Sequence, residues 1–243
     1  IHGKLLLGKT GFWIMGIASG LWALMTLAGL YLWWPGRNKL GLALQIKWQA
    51  GAARLHFDLH RTAGFYSAPV LLVLAVTGVY MALPGEVRPL VAALSLLDES
   101  KTPRAAPSDR PPIDADEAVR IARGVFPDGK LRRVGLPRSA DDCYAIGFLL
   151  PGEVQRPTTS RSTVWVAVRG GEILRSLDAT RSSPGDSYLN WQTPLHTGTA
   201  FGLPGRIGVL LGGLVTLVLI YAGLKMWLRR KAPPLIIRAP LRT

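Results

Sequence analysis

The chain has 243 residues, 49% of them hydrophobic, and a formal net charge of +14 from 29 Lys and Arg against 15 Asp and Glu. Length allows one or two domains, and a basic total of this size would suit a nucleic-acid partner, but residues 85–200 hold 15 basic against 14 acidic side chains and are almost neutral. A basic total acts through where it sits, so nucleic-acid binding is excluded as the leading class, and the single cysteine, Cys143, leaves no internal disulfide and no C-x-x-C-H haem attachment.

Three uncharged apolar runs, Phe12 to Trp34, Thr62 to Gly85 and Ile207 to Leu224, are each about as long as a helix needs to cross a hydrocarbon core of roughly 30 Å. The chain therefore reads as an integral membrane protein in a lipid bilayer. Segment 35–61 holds five basic residues against Asp58, and the tail from 225 holds six and no acid. The positive-inside rule puts both on the cytoplasmic side and residues 85–200 on the other.

In chain order this predicts a transmembrane helix in 1–36 with a histidine at its outer end and a cytoplasmic loop in 37–61. A second transmembrane helix follows in 62–85, then a periplasmic α+β domain with linkers in 86–190. A third transmembrane helix with an outer histidine occupies 191–231, and a cytoplasmic tail fills 232–243. The fold class is an α-helical integral membrane bundle carrying a small α+β domain. Within that domain the Pro/Ser-rich stretch from Asp98 to Pro112 leads to a helix with Asp114 as N-cap and Glu117 as its capping-box partner. Strand-like runs LRRVGLP, CYAIGFLL and STVWVAVRGGEILRS follow, the last folding over at Gly170-Gly171. The run RPLVAALSLLDES after the second span reads as a segment along the membrane surface. Pro69 is expected to kink the second span.

One membrane-sized segment is written twice. At an offset of 194, His2 matches His196, Gly8 matches Gly202, Gly11 matches Gly205, Ala28-Gly29-Leu30 matches Ala222-Gly223-Leu224, and Trp33 matches Trp227. The middle span, which begins LHRTAG, is of a different type with its histidine at the inner end. Duplication of a two-helix unit predicts a fourth helix of that inner-His type upstream of Ile1, the chain being the later part of something longer.

All four histidines, His2, His56, His60 and His196, sit near the mouths of predicted spans. Ionisable groups there are costly unless they pair, bind something or reach water. Zinc takes four ligands, or three and a water, and neither outer motif supplies a carboxylate or cysteine to complete such a set. A haem iron needs only one or two axial ligands beyond its macrocycle, and facing helices supply those. His2 and His196 are thus expected on opposite faces of one b-type haem near the outer surface. The glycines ahead of each span would let backbones approach closely or a macrocycle fit, and helix packing accounts for them equally. His60 opens the inner-type span as a ligand of a second haem. His56, four residues earlier on the same face, cannot take the opposite side of that macrocycle and is read as a neighbouring cofactor-binding residue. Arg206, Arg54 and Arg61 are positioned to pair with propionates.

The segments DLHRTAG…LAVTG, LHTGTAFGLPGRIG…AGLKMW, IDADEAVRIARGVFPDGKLRRVGLP and VWVAVRGGEILRS resemble the family of PepSY-associated transmembrane proteins over nearly the whole chain. The resemblance implies four core spans and PepSY-like domains outside the bacterial inner membrane. Within the family it points to di-haem ferric-siderophore reductases of the FoxB-like type. Carried over residue by residue, it puts the outer-haem ligands on His2 and His196 and an inner-haem ligand on His60. A haem-dependent oxidoreductase that passes electrons to ferric siderophore in the periplasm is the expected function, with a quinol or a cytoplasmic reductase as donor. Two other readings stand beside it: a membrane-anchored PepSY module that binds peptides or restrains a partner, and an electron-transfer subunit of another reductase.

Overall fold

The computed structural model describes residues 2–98, 101–139, 142–154, 156 and 161–230. Three helices are long and apolar enough to cross a membrane, spanning Gly8–Trp33, Ala52–Ala82 and Thr199–Arg229. They present large apolar side chains outward, such as Leu24, Met25 and Leu32 on the first and Leu210, Leu217 and Ile220 on the last. Water would penalise such faces and a bilayer does not.

The described elements are α1 (Gly8–Trp33), α2 (Leu40–Ala43), α3 (Ala52–Ala82), α4 (Pro84–Ala92), α5 (Ala115–Val125), β1 (Lys130–Gly135), β2 (Cys143–Leu149), β3 (Ser162–Ala167), β4 (Ile173–Leu177), α6 (Pro184–Thr197) and α7 (Gly202–Arg230). They fall into two compact units, one of Ile1–Ala18 with Thr77–Arg206, the other of Ser19–Val76 with Ile207–Thr243.

In the first unit the four strands form an antiparallel sheet in the order β1-β2-β3-β4. Alternate residues of the two central strands point to one face, so Tyr144, Ile146 and Phe148 of β2 join Val164 and Val166 of β3 and close over Ala118 and Ala122 of α5. The alanines let the helix lie close on the sheet. Asp114 caps α5 as expected, accepting from Glu117 N at 2.8 Å. The Glu117 carboxylate turns outward to Arg120 instead of back to the cap. The β3–β4 turn passes through Gly170 (φ +75°) and Gly171 (φ +69°), the left-handed pair a tight hairpin requires.

Asp186 anchors α6. Fully buried, its carboxylate accepts from Asp98 N at 2.6 Å and from Ser183 Oγ at 3.1 Å, and faces the Arg161 guanidinium at 3.7 Å. This ties the first turn of α6 to the chain leaving α4 and to the head of β3. Gly185 N donates to Ser95 Oγ at 3.0 Å in the same place.

In the second unit, Asp58 of α3 is also fully buried. It accepts from Arg54 Nε at 3.1 Å and Lys47 N at 3.2 Å, and pairs with Arg61 at 3.1 Å. Arg61 reaches on to the Gln45 carbonyl at 3.1 Å, which pins the loop after α2 to α3. Farther along, Gly212 of α7 meets Val70 of α3, where an added Cβ would stand 3.1 Å from a Val70 methyl.

Two boundaries differ from the sequence expectation. The second span starts at Ala52, ten residues ahead of the uncharged run, because the ion pairs of Asp58 with Arg54 and Arg61 fall at helical spacing and sustain the helix beyond its apolar stretch. His196 does not open the third span. It belongs to α6, which ends at the left-handed Gly198 (φ +73°), and α7 starts afresh at Gly202 (φ +61°). The chain after the second span, for which the sequence set no helix bounds, is helical over Pro84–Ala92. The tail 232–243 lies outside the described residues.

Candidate functional site

The two histidine-bearing turns are built alike. After His2 the chain makes a turn in which Leu7 N donates to Lys4 O at 2.8 Å; after His196, Phe201 N donates to Gly198 O at 3.3 Å. These are equivalent positions in the two copies. Gly8 and Gly202 then begin α1 and α7 with φ of +56° and +61°, a conformation that side chains other than glycine rarely adopt. One turn further on, a Cβ on Gly11 would stand on the carbonyl oxygen of Lys4, and a Cβ on Gly205 on that of Gly198. The glycines therefore make room for the chain's own backbone: each histidine-bearing turn lies against the first turn of the helix that follows it.

Both turns belong to the first unit, where the two imidazoles meet. The His2 and His196 ring centroids are 6.2 Å apart and the planes lie within 22° of parallel. The separation exceeds the roughly 3.5–4 Å of touching ring faces. His196 Nδ1 lies 2.9 Å from Thr77 Oγ1, on the last turns of α3. Which of the two donates depends on the tautomer of the imidazole, since a hydroxyl can both donate and accept. Among the described residues no group of three or more His, Cys, Asp or Glu side chains converges on a metal-sized space.

In the second unit His60 Nδ1 lies 3.1 Å from the Leu219 carbonyl of α7. A carbonyl oxygen can only accept, so Nδ1 carries the proton and Nε2 the lone pair. Gly223 allows this approach, since a Cβ there would stand 3.4 Å from His60 Cε1. His56, one turn earlier, packs against the Tyr221 ring edge-on at 5.5 Å, and among the described residues its buried Nδ1 finds no hydrogen-bond partner. The two imidazoles share one stretch of α3, as the i, i+4 spacing required.

Arg206 is exposed near the start of α7, and no contact among the described residues joins it to the imidazole pair. Arg54 and Arg61, the other cations considered for an anionic group, are occupied by Asp58. Thr77 and Asp186 had no place in the sequence reading. Thr77 lies inside the LAVTG motif, but nothing in that pattern singles out its hydroxyl. Asp186 could have been noticed as an acid three residues after Ser183, the spacing of an N-cap serine with an acidic N3 residue.

The model of the family described as PepSY-associated TM region matches residues 1–230 of the chain. No curated protein matches it.

Proposed function

Since the chain belongs to the family of PepSY-associated TM regions, we propose that it is a haem-binding reductase of the bacterial inner membrane, which hands electrons to a ferric siderophore on the periplasmic side. The observation that carries this reading is the His2–His196 pair, with ring centroids 6.2 Å apart and planes 22° from parallel. Two imidazoles that shared one iron would have centroids roughly 6 Å apart, from metal–nitrogen bonds of about 2 Å and about 1 Å more from each nitrogen to its ring centre. The engaged Nδ1 of His196 supports the same reading, because a metal-bound histidine regularly gives its other ring N–H to a neighbour.

His2 and His196 would hold a b-type haem, and the close packing at Gly11 and Gly205 would fix the backbone that carries them. His60, oriented by the Leu219 carbonyl, would hold a second haem on the inner side, with His56 beside it. When bound, the haem supplies a one-electron couple. Reducing the chelate from Fe(III) to Fe(II) takes one electron per iron, which would be drawn from a quinol or a cytoplasmic reductase. Siderophores grip the hard Fe(III) ion far better than Fe(II), so this transfer loosens the chelate without breaking it. On this reading the sheet domain is a PepSY-like periplasmic module, because the basic residues 35–61 and 225 onward mark the cytoplasmic side.

The test is the absorption spectrum of the purified chain, expressed with haem supplied. A bis-imidazole haem spectrum is expected, and His196→Ala should remove one haem's share of it. A colourless protein would overturn the reading. Stopped-flow mixing of the reduced protein with a ferric hydroxamate then separates roles: rapid reoxidation marks a reductase, and its failure makes the chain an electron-transfer subunit of another enzyme.

A further inference from the structure

Thr77 is 3% exposed on the last turns of α3, and its hydroxyl meets His196 Nδ1 at 2.9 Å. His196 sits in the last turn of α6, one residue before the helix ends at Thr197. At a helix end the backbone alone fixes a side chain poorly, and the imidazole can rotate about both of its side-chain bonds. A second contact is needed to aim Nε2. His60 obtains that contact from a backbone carbonyl, which no substitution at one position removes without moving the chain. His196 obtains it from a side chain.

We infer that Thr77 is a positioning residue for the outer haem: its Oγ1 accepts the Nδ1–H of His196, holds the ring with Nε2 toward the iron, and sets how strongly that nitrogen donates. The inference rests on the haem reading above. Donation of the N–H to oxygen makes the opposite nitrogen more basic, which favours the ferric state of a metal it binds. Without the hydroxyl, the imidazole becomes a weaker donor and loses this hold on its orientation. The potential of the outer haem rises and its retention falls. The Asp186 clamp acts at the other end of α6, on the backbone of that helix.

The experiment compares T77V, which keeps the shape and removes the hydroxyl, with T77S, which keeps the hydroxyl. Both are made in the 243-residue chain with haem supplied, on a His60→Ala background so that the outer site is read alone. Redox titration and haem retention against an apo-protein acceptor are measured. T77V is expected to shift the midpoint potential upward and to weaken haem retention roughly 10- to 100-fold, and T77S to hold the parent values. A T77V protein with parent potential and retention overturns the role of Thr77, as does a T77S protein displaced as far as T77V. If T77V does not fold, T77A reads the same two quantities. A colourless parent protein overturns the haem reading itself, and is told apart from the other outcomes by the spectrum before any substitution is made.

Discussion

Gly11 and Gly205 occupy the same place in two copies of one structural unit: each lets a backbone carbonyl, that of Lys4 or of Gly198, sit where a side chain would otherwise stand. The repeat read along the sequence is thus a repeat of turn geometry as well as of residues. It has a direct consequence, because the turn held this way is the one that presents His2 or His196.

Substituting either glycine should therefore uncouple the histidine from its helix. Gly205→Ala is expected to cost about 1–3 kcal/mol, the usual penalty for forcing atoms into a filled space, and, on the proposed haem reading, to lower haem content. Gly8→Ala, where a Cβ meets nothing within 4 Å, acts only through its positive φ and should cost less. Thermal melting and haem content of the three proteins check this; equal behaviour of the two variants would remove the assigned role of the carbonyl contact.

Gly223→Val should displace His60. The first added carbon already stands 3.4 Å from His60 Cε1, and the branches of valine crowd the ring away from the Leu219 carbonyl. On the proposed haem reading, loss of the inner haem signal with the outer one intact is the expected spectrum. Retention of both would show that His60 does not depend on this approach.

Asp186→Ala removes the acceptor of a buried charged hydrogen-bond set and leaves Asp98 N–H unpaired. A loss of about 1.5–3 kcal/mol is expected. The proteolytic susceptibility of the 95–98 stretch and the start of α6 should rise together, and a variant that melts like the parent would contradict the anchoring role.

Cys143 lies buried at the start of β2, its Sγ 3.5 Å from the Pro103 carbonyl. Burial, with the Asp142 carboxylate beside it, pushes the thiol up to about 11. Alkylation at pH 8 should be far slower in the folded protein than in denaturant. The folded thiol keeps its proton where the unfolded one has lost it, so this group's contribution to stability is complete below the unfolded value of about 8.5. It declines as pH rises from there toward 11. Fast native labelling at pH 8, or a Cys143→Ser protein with the same alkaline limb as the parent, would contradict this.

The local features were legible because local rules generate them. Asp114 announced its cap by type and spacing, Gly170-Gly171 announced a hairpin, and the three apolar runs announced spans, since lipid tolerates only helices that satisfy their own backbone. The helix α3 reaches back beyond the uncharged run because such a run measures membrane thickness, whereas a helix continues wherever pairs such as Arg54–Asp58 support it. The break between His196 and α7 was missed because a glycine near a helix end reads equally as packing or as a cap until its φ is known.

By itself the sequence determined that the chain has three apolar helices of membrane length, an α+β domain between two of them, and two histidine turns in register 194 residues apart. Composition and periodicity act over a few turns of chain, and they suffice for that. Only the tertiary structure decided that those two imidazoles lie 6.2 Å apart, that Thr77 reaches one of them, and that Asp186 and Asp58 fasten the helices carrying the site residues. Such contacts join positions far apart in the chain through directional bonds at buried places, where a hydroxyl or carboxylate counts for its angle and distance and no spacing along the sequence records either.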